Sequence, residues 1–149
     1  MKRNSITIFL LNCNMTNNKI FTFEETVKWE NNSIVFLDQT LLPEKEIYLK
    51  IKDYNVLADT IIKLKIRGAP AIGITAAYGM VLPLLYSKNK KNRNRFIQDF
   101  EKAYNVLKNS RPTAVNLFWA LDRMRNKFNL INDKKPDEII NELLNEAHS

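Results

Sequence analysis

The feature that most constrains this sequence is the stretch of residues 65–80, which holds the only three glycines of the 149-residue chain, at positions 68, 73 and 79. Pro70 suits the first position of a helix, because its missing N–H costs nothing there. The alanines that follow favour a helix that packs closely against a neighbour. Gly68, just before, lets the backbone turn or approach a ligand without a Cβ in the way. The stretch therefore predicts a tight turn, or a close approach of the backbone to a ligand, followed by a helix.

Arg67 stands beside the N-terminus of this predicted helix. Unpaired backbone amides and a guanidinium at one place suit a phosphate or a carboxylate. An ordinary buried helix can begin in the same way, and a single arginine before it can be a surface charge. At this point an anion site and a purely structural helix start are both open.

A second stretch, residues 110–121, repeats the plan. Arg111 precedes Pro112, which we predict opens another helix, with Ser110 as a possible N-cap. Asn116 lies four positions after Pro112 and shares the face of the helix start, although packing or capping explains it equally well. Two helices led by arginine and proline would direct two positive ends at one anionic ligand.

These residues resemble a known family. Residues 66–73 and 111–117, together with residues 27–29 and 37–43, resemble the N-terminal part of methylthioribose-1-phosphate isomerase, an aldose–ketose isomerase of methionine salvage. The superfamily also includes ribose-1,5-bisphosphate isomerases and regulatory subunits of translation initiation factor 2B. The resemblance covers roughly residues 23–124, and the blocks follow the family's order and approximate spacing.

The resemblance implies roles for particular residues. Arg67, Gly68, Ala69 and Arg111 correspond to positions that bind the phosphosugar substrate, and no cofactor is implied because the hydrogen stays within the substrate. The family's catalytic cysteine and aspartate lie in a larger C-terminal α/β domain, and no position here matches them; Cys13 lies on the wrong side of the motifs. We therefore assign no catalytic residue and expect the chain alone not to turn over substrate. The full-length family also implies a cytoplasmic homodimer.

Two relatives of this isomerase remain as alternatives. A ribose-1,5-bisphosphate isomerase shares the fold and also acts on a sugar phosphate, but we expect its sequence to differ around residues 70–73 and at Asn116. A regulatory subunit of initiation factor 2B is a binding protein rather than an enzyme. Such a subunit would not need Arg67 and Arg111 together.

The expected fold class is α+β, with a small N-terminal antiparallel sheet followed by a helical bundle. Residues 26–30 and 33–38 read as two strands around a tight turn at Asn31 and Asn32, which tolerate positive φ. Residues 46–51 could form a third strand.

Five helices follow in the expected order. Their predicted limits are an N-cap at Asp53 with a run through Leu64, a helix from Pro70 that ends or kinks near Pro83, an amphipathic helix over residues 96–107, a helix from Pro112 to about Phe128, and a last helix from about Pro136.

The expected organisation has three parts. Residues 1–19 are a tail or a first strand, residues 20–135 form an N-terminal substrate-binding domain, and residues 136–149 begin a helix leading to the C-terminal domain of the family.

The net charge of +7 is local, because five positive charges fall in residues 88–95, the basic segment, and the remainder carries +2. We interpret this segment as a solvated loop. A nucleic-acid-binding surface is the more specific alternative, but no aromatic side chains alternate with the charges.

The single cysteine excludes an intramolecular disulfide, and with His148 as the only histidine we expect no metal site. No apolar run is long enough to span a membrane.

Overall fold

The computed structural model describes residues 26–149 and the backbone of residues 7–10. The strands are β1 (Thr7–Leu10), β2 (Val27–Trp29), β3 (Ile34–Leu37) and β4 (Ile47–Ile51). The helices are α1 (Tyr54–Ile62), α2 (Ala69–Leu85), α3 (Arg93–Ser110), α4 (Val115–Ile131) and α5 (Pro136–His148), with a short 3-10 turn at Gln39–Leu41. The predicted α+β class, a sheet followed by helices, is confirmed.

The strands form one antiparallel sheet in the order β1-β4-β3-β2. The predicted hairpin between β2 and β3 is confirmed, since Asn31 and Asn32 have φ angles of 50° and 56°. Glu30 and Ser33 exchange backbone hydrogen bonds of 2.9 and 3.2 Å across this two-residue turn. Two consecutive positive φ angles give a twist that matches the flanking strands.

The sheet has two further strands on its other side. The third predicted strand is confirmed as β4, which pairs with β3. β1 pairs with β4 through its backbone, so residues 7–10 form a first strand. The remainder of the predicted tail, residues 1–6 and 11–19, lies outside the described residues.

α1 begins where the sequence predicts. The Asp53 carboxylate accepts a hydrogen bond of 2.8 Å from the Asn55 amide and so caps the helix. The helix ends at Ile62, two residues before the predicted end, because Leu64 takes the left-handed conformation with φ 57°.

α2 is the central helix of the domain. It packs against α1, α3, α4 and α5 and also touches β2 and β3. Its sequence is apolar on every side, which is typical of a buried helix. It ends at Leu85, two residues after Pro83, so the predicted end near this proline is confirmed. α5 begins at Pro136 as predicted and adds Ile139, Ile140 and Leu143 to the same core.

The predicted start of α4 was wrong. Ser110 is the last residue of α3 rather than an N-cap, and Pro112 lies in a turn rather than in a helix. The Ala114 amide donates a hydrogen bond of 3.1 Å to the Arg111 carbonyl, which closes a four-residue turn with proline in its second position. A proline also disfavours helical backbone at the residue before it, and Arg111 is extended at φ −152°. α4 therefore begins at Val115.

The basic segment is only partly a loop. Arg93 and Arg95 belong to the first turn of α3, which Asn92 caps by accepting a hydrogen bond of 3.1 Å from the Arg95 amide. The Arg93 guanidinium donates to the carbonyls of Asn132 and Asp133 at the end of α4. A cation is favoured at a helix C-terminus, so this arginine has a structural role.

Two glycines of α2 allow a matched test of its packing. A Cβ on Gly79 would lie 2.6 Å from Leu57 Cδ2 and 3.0 Å from Leu107 Cδ1, whereas one on Gly73 would lie 3.5 Å from the Asn116 carbonyl oxygen. Alanine gains about 1 kcal/mol of helix propensity over glycine, and overpacking a core costs about 1–3 kcal/mol. We expect Gly73→Ala to stabilise the chain and Gly79→Ala to destabilise it, as measured by urea unfolding. Equal midpoints would contradict the described contact of α2 with α1 and α3.

Candidate anion-binding site

The starts of α2 and α4 lie at the same end of the bundle. Short connections make α3 antiparallel to both helices, so α2 and α4 run in the same direction. Gly73, one turn into α2, faces Asn116 and Ala120 near the start of α4. With a rise of 1.5 Å per residue and packed helix axes 8–10 Å apart, the two N-termini are on the order of 10 Å apart. Both positive helix ends therefore face one region of the surface.

The first predicted site segment leads into α2. Gly68 is the N-cap and has φ 91°, a left-handed conformation that glycine adopts without strain. The helix begins at Ala69, so Pro70 is its second residue rather than its first as predicted. Arg67, Gly68 and Ala69 are all exposed. Arg67 Nε donates a hydrogen bond of 3.3 Å to the Leu64 carbonyl, which leaves its terminal nitrogens without a partner among the described residues.

Two residues that sequence reasoning gave no role hold this segment in place. The Gln39 amide donates a hydrogen bond of 3.0 Å to the Lys65 carbonyl, and its side chain reaches the Arg67 carbonyl at 3.5 Å. The buried Asp38 carboxylate pairs with Lys65 Nζ at 3.2 Å and accepts hydrogen bonds from Thr40. An aspartate two residues before a threonine is a recognisable turn signal, but its link to Lys65 connects positions distant in sequence.

The second predicted arginine leads into α4. Arg111 is half-buried at the end of α3, and its guanidinium has no hydrogen bond or ion pair with another residue of the described 26–149 range. The Ala114 N-cap makes no side-chain hydrogen bond to the first turn of α4. Asn116 faces Gly73 through its Cβ and carbonyl, so it contributes to helix packing. The two arginines thus occupy the segments before the two helix starts.

A groove runs from these helix starts along the contact of α2 with α4 and continues to the end of α5. We call it the α2–α4 groove; its volume is about 430 Å³. At its far end the Tyr78 hydroxyl and His148 Nδ1 share a hydrogen bond of 2.9 Å. Burial raises the pKa of the Tyr78 hydroxyl above its usual value, so the phenol is neutral at pH 7.

The described residues contain no group of three or more histidine, cysteine, aspartate or glutamate side chains that could hold a metal ion. Within the same part of the chain, no helix is long and apolar enough to cross a lipid bilayer. The candidate site is instead the region of the two helix starts, with Arg67 and Arg111 in the segments before them and the α2–α4 groove beside them. Such a set of groups can bind and orient an anion.

Comparison with known proteins gives a consistent result. The chain is 48% identical over 125 residues to a methylthioribose-1-phosphate isomerase of Carboxydothermus hydrogenoformans, a match that covers 84% of this chain and 36% of the relative. The structure resembles that of 5-methylthioribose 1-phosphate isomerase from Pyrococcus horikoshii OT3, with a TM-score of 0.79, 39% identity, and coverage of 86% of this chain and 37% of the other.

The structure of this chain also resembles that of subunit delta of translation initiation factor eIF-2B from A. fulgidus. The TM-score is 0.76 and the identity is 32%, with coverage of 83% of this chain and 35% of the other. The chain spans about a third of the length of each of these proteins. The sequence pattern that defines the initiation factor 2 subunit family matches residues 65–149, which include every predicted site residue. The chain belongs to the initiation factor 2 subunit family.

Proposed function

We propose that this chain is the N-terminal, substrate-binding part of an isomerase that converts 5-methylthioribose 1-phosphate to 5-methylthioribulose 1-phosphate. The observation that carries the proposal is the side-by-side arrangement of two helix starts, each preceded by an arginine, in a chain 48% identical to such an isomerase. In this proposal Arg67 and Arg111 bind the phosphate, and the backbone at Gly68 and Ala69 approaches it closely.

The proposed contribution of this chain is binding and orientation. Isomerisation requires opening of the furanose ring and net movement of hydrogen from C2 to C1. Binding energy from the phosphate, which does not react, would hold the sugar in place for that chemistry. In this proposal residues 20–135 form the binding domain and residues 136–149 lead toward the part that supplies the acid–base groups. The assembled enzyme would be a cytoplasmic homodimer.

Two measurements test this proposal. Titration calorimetry should detect binding of 5-methylthioribose 1-phosphate to the purified chain and no binding of 5-methylthioribose, which lacks the phosphate. A product assay with the same chain should detect no ketose phosphate. Product above the buffer blank would disprove the proposed division of labour, and equal binding of the two sugars would disprove the phosphate site.

A chimaera extends the test to activity. The matched part of this chain would replace the corresponding part of the Carboxydothermus isomerase, over the 125 aligned residues. We expect the folded chimaera to be active, and the same chimaera with Arg67→Ala to lose about 10- to 100-fold in kcat/KM. A cooperatively folded chimaera without activity would count against the assignment.

A binding-only role is the second candidate, because the eIF-2B subunit delta structure is 32% identical with a TM-score of 0.76. A regulatory subunit of that kind would bind no phosphosugar in the calorimeter. Ribose 1,5-bisphosphate as a third titrant separates the remaining alternative, since an isomerase for that sugar would bind it more tightly than the methylthio sugar.

A further inference from the structure

The α2–α4 groove has an unusual wall. Trp119 lines it and is 62% exposed, and Val115, one turn earlier on α4, is 76% exposed. Other apolar side chains of the same helix, such as Leu117 and Leu121, are fully buried. A large exposed apolar surface beside a cavity commonly marks a binding site.

The indole of Trp119 contacts a charged side chain one turn later on α4. The Arg123 guanidinium lies 5.4 Å from the Trp119 ring centroid, a cation–π distance. Arg123 Nε in turn donates a hydrogen bond of 2.5 Å to the Glu146 carboxylate, and a terminal nitrogen donates to Ser149. The guanidinium charge is therefore already paired, and one face of the indole lies against it.

The opposite wall comes from α2. Pro70 is exposed in the first turn of that helix, and Ile74 follows one turn later. Gly73 lies between them at the floor of the groove, where it faces Asn116 and Ala120 of α4. Apolar groups thus begin about one helical turn, or ~5 Å, from the helix starts that we propose bind the phosphate.

The dimensions of the proposed substrate match this spacing. A furanose carries its 1-phosphate and its 5-substituent on opposite sides of the ring, a span of roughly 6–8 Å by ordinary bond lengths. With the phosphate at the helix starts, the 5-substituent reaches the apolar part of the groove. A thioether makes favourable contacts with an aromatic ring, whereas a hydroxyl or a second phosphate would lose hydration against the apolar side chains of Pro70 and Ile74.

We propose that Trp119, with Pro70 and Ile74, forms the apolar subsite that recognises the 5-methylthio group and makes Trp119 a specificity-determining residue. This inference rests on the proposed function. It assigns the phosphate to Arg67 and Arg111, and discrimination between sugars at C5 to the exposed indole.

Fluorescence of a single tryptophan tests the subsite directly. The chain has two tryptophans, and Trp29 packs against Tyr78 with ring centroids 5.4 Å apart. Trp29→Phe keeps an aromatic ring there and leaves Trp119 as the only reporter. Adding 5-methylthioribose 1-phosphate should shift its emission to shorter wavelength. Ribose 1-phosphate should bind without that shift.

Affinity provides the second arm. Trp119→Ala should weaken binding of 5-methylthioribose 1-phosphate about tenfold, equivalent to about 1.4 kcal/mol, and leave ribose 1-phosphate within twofold. Trp119→Phe should retain most of the preference. The control is Leu130→Ala, which removes an 80% exposed side chain near the other end of α4 and should change neither affinity.

The outcomes separate the subsite from the proposed function. If both sugars bind and Trp119→Ala weakens them equally or not at all, the subsite is wrong while the phosphate site stands. If neither phosphosugar binds the unmodified chain, the proposed function fails as well. If the Trp119 emission shifts with protein concentration rather than with ligand, the groove is an interface between chains and the subsite is disproved.

Discussion

Replacing Phe128 with alanine should lower the free energy of unfolding of this chain by about 3–5 kcal/mol, the usual cost of removing a buried phenylalanine. The Phe128 side chain is 0% exposed, and its ring stacks on that of Phe100 with centroids 3.9 Å apart and planes 12° apart. The pair joins α4 to α3. Its removal would therefore leave a cavity between α3 and α4. Along the chain, these two helices are joined only by the four-residue turn 111–114.

Urea unfolding followed by circular dichroism at 25 °C would measure this loss. The total stability of a domain is about 5–15 kcal/mol, so Phe128→Ala could leave little folded protein. Phe128→Leu provides a milder variant with the same expected direction. Leu130→Ala, two positions later but exposed, should change stability by less than about 0.5 kcal/mol. Similar losses for Phe128→Ala and Leu130→Ala would contradict the described packing of α3 with α4.

The elements that sequence predicts well depend on local signals. The turn at Asn31 and Asn32 needs two residues that tolerate positive φ. The cap of α1 needs a carboxylate two residues before a backbone amide that donates to it, as Asp53 and Asn55 provide. Both requirements are met within four positions of the chain. Apolar periodicity likewise predicts α3 and α5, because one face of each is buried.

The start of α4 shows why a local signal can mislead. Proline is favoured in the first turn of a helix and also at the second position of a β-turn. Which applies at Pro112 depends on where α3 ends, and α3 continues to Ser110. The turn then uses Arg111 to Ala114, and the helix begins one residue later.

The basic segment shows the limit set by distant contacts. In sequence it is a run of like charges, for which a solvated loop is the simplest interpretation. In the structure Lys90 pairs with Asp137 at 3.3 Å, and Arg93 binds carbonyls about forty residues away. No pattern within residues 88–95 indicates those partners. The same holds for Asp38, which braces the site through Lys65.

Arg67→Ala and Arg111→Ala should each weaken binding of 5-methylthioribose 1-phosphate by about 10- to 100-fold. A hydrogen bond to a charged group contributes about 1.5–3 kcal/mol, which corresponds to that range. Arg67 is exposed, with terminal nitrogens that have no partner among the described residues, so its removal costs the fold little. Arg111 is half-buried, so Arg111→Lys serves as a second variant that keeps the charge but loses the planar fork.

The matched control is Arg95→Ala. It removes the same charge from the first turn of α3, which lies at the opposite end of the bundle from the starts of α2 and α4. Titration calorimetry at physiological salt should show less than a twofold change for this variant, because exposed charges farther apart than ~8 Å are largely screened. If Arg95→Ala weakened binding as much as Arg67→Ala, general attraction by a basic protein would explain the affinity.

The double variant Arg67→Ala/Arg111→Ala then decides whether both arginines bind one phosphate. Two groups on the same phosphate should give a loss that differs from the sum of the single losses by about 0.5 kcal/mol or more, whereas independent sites would give losses that add.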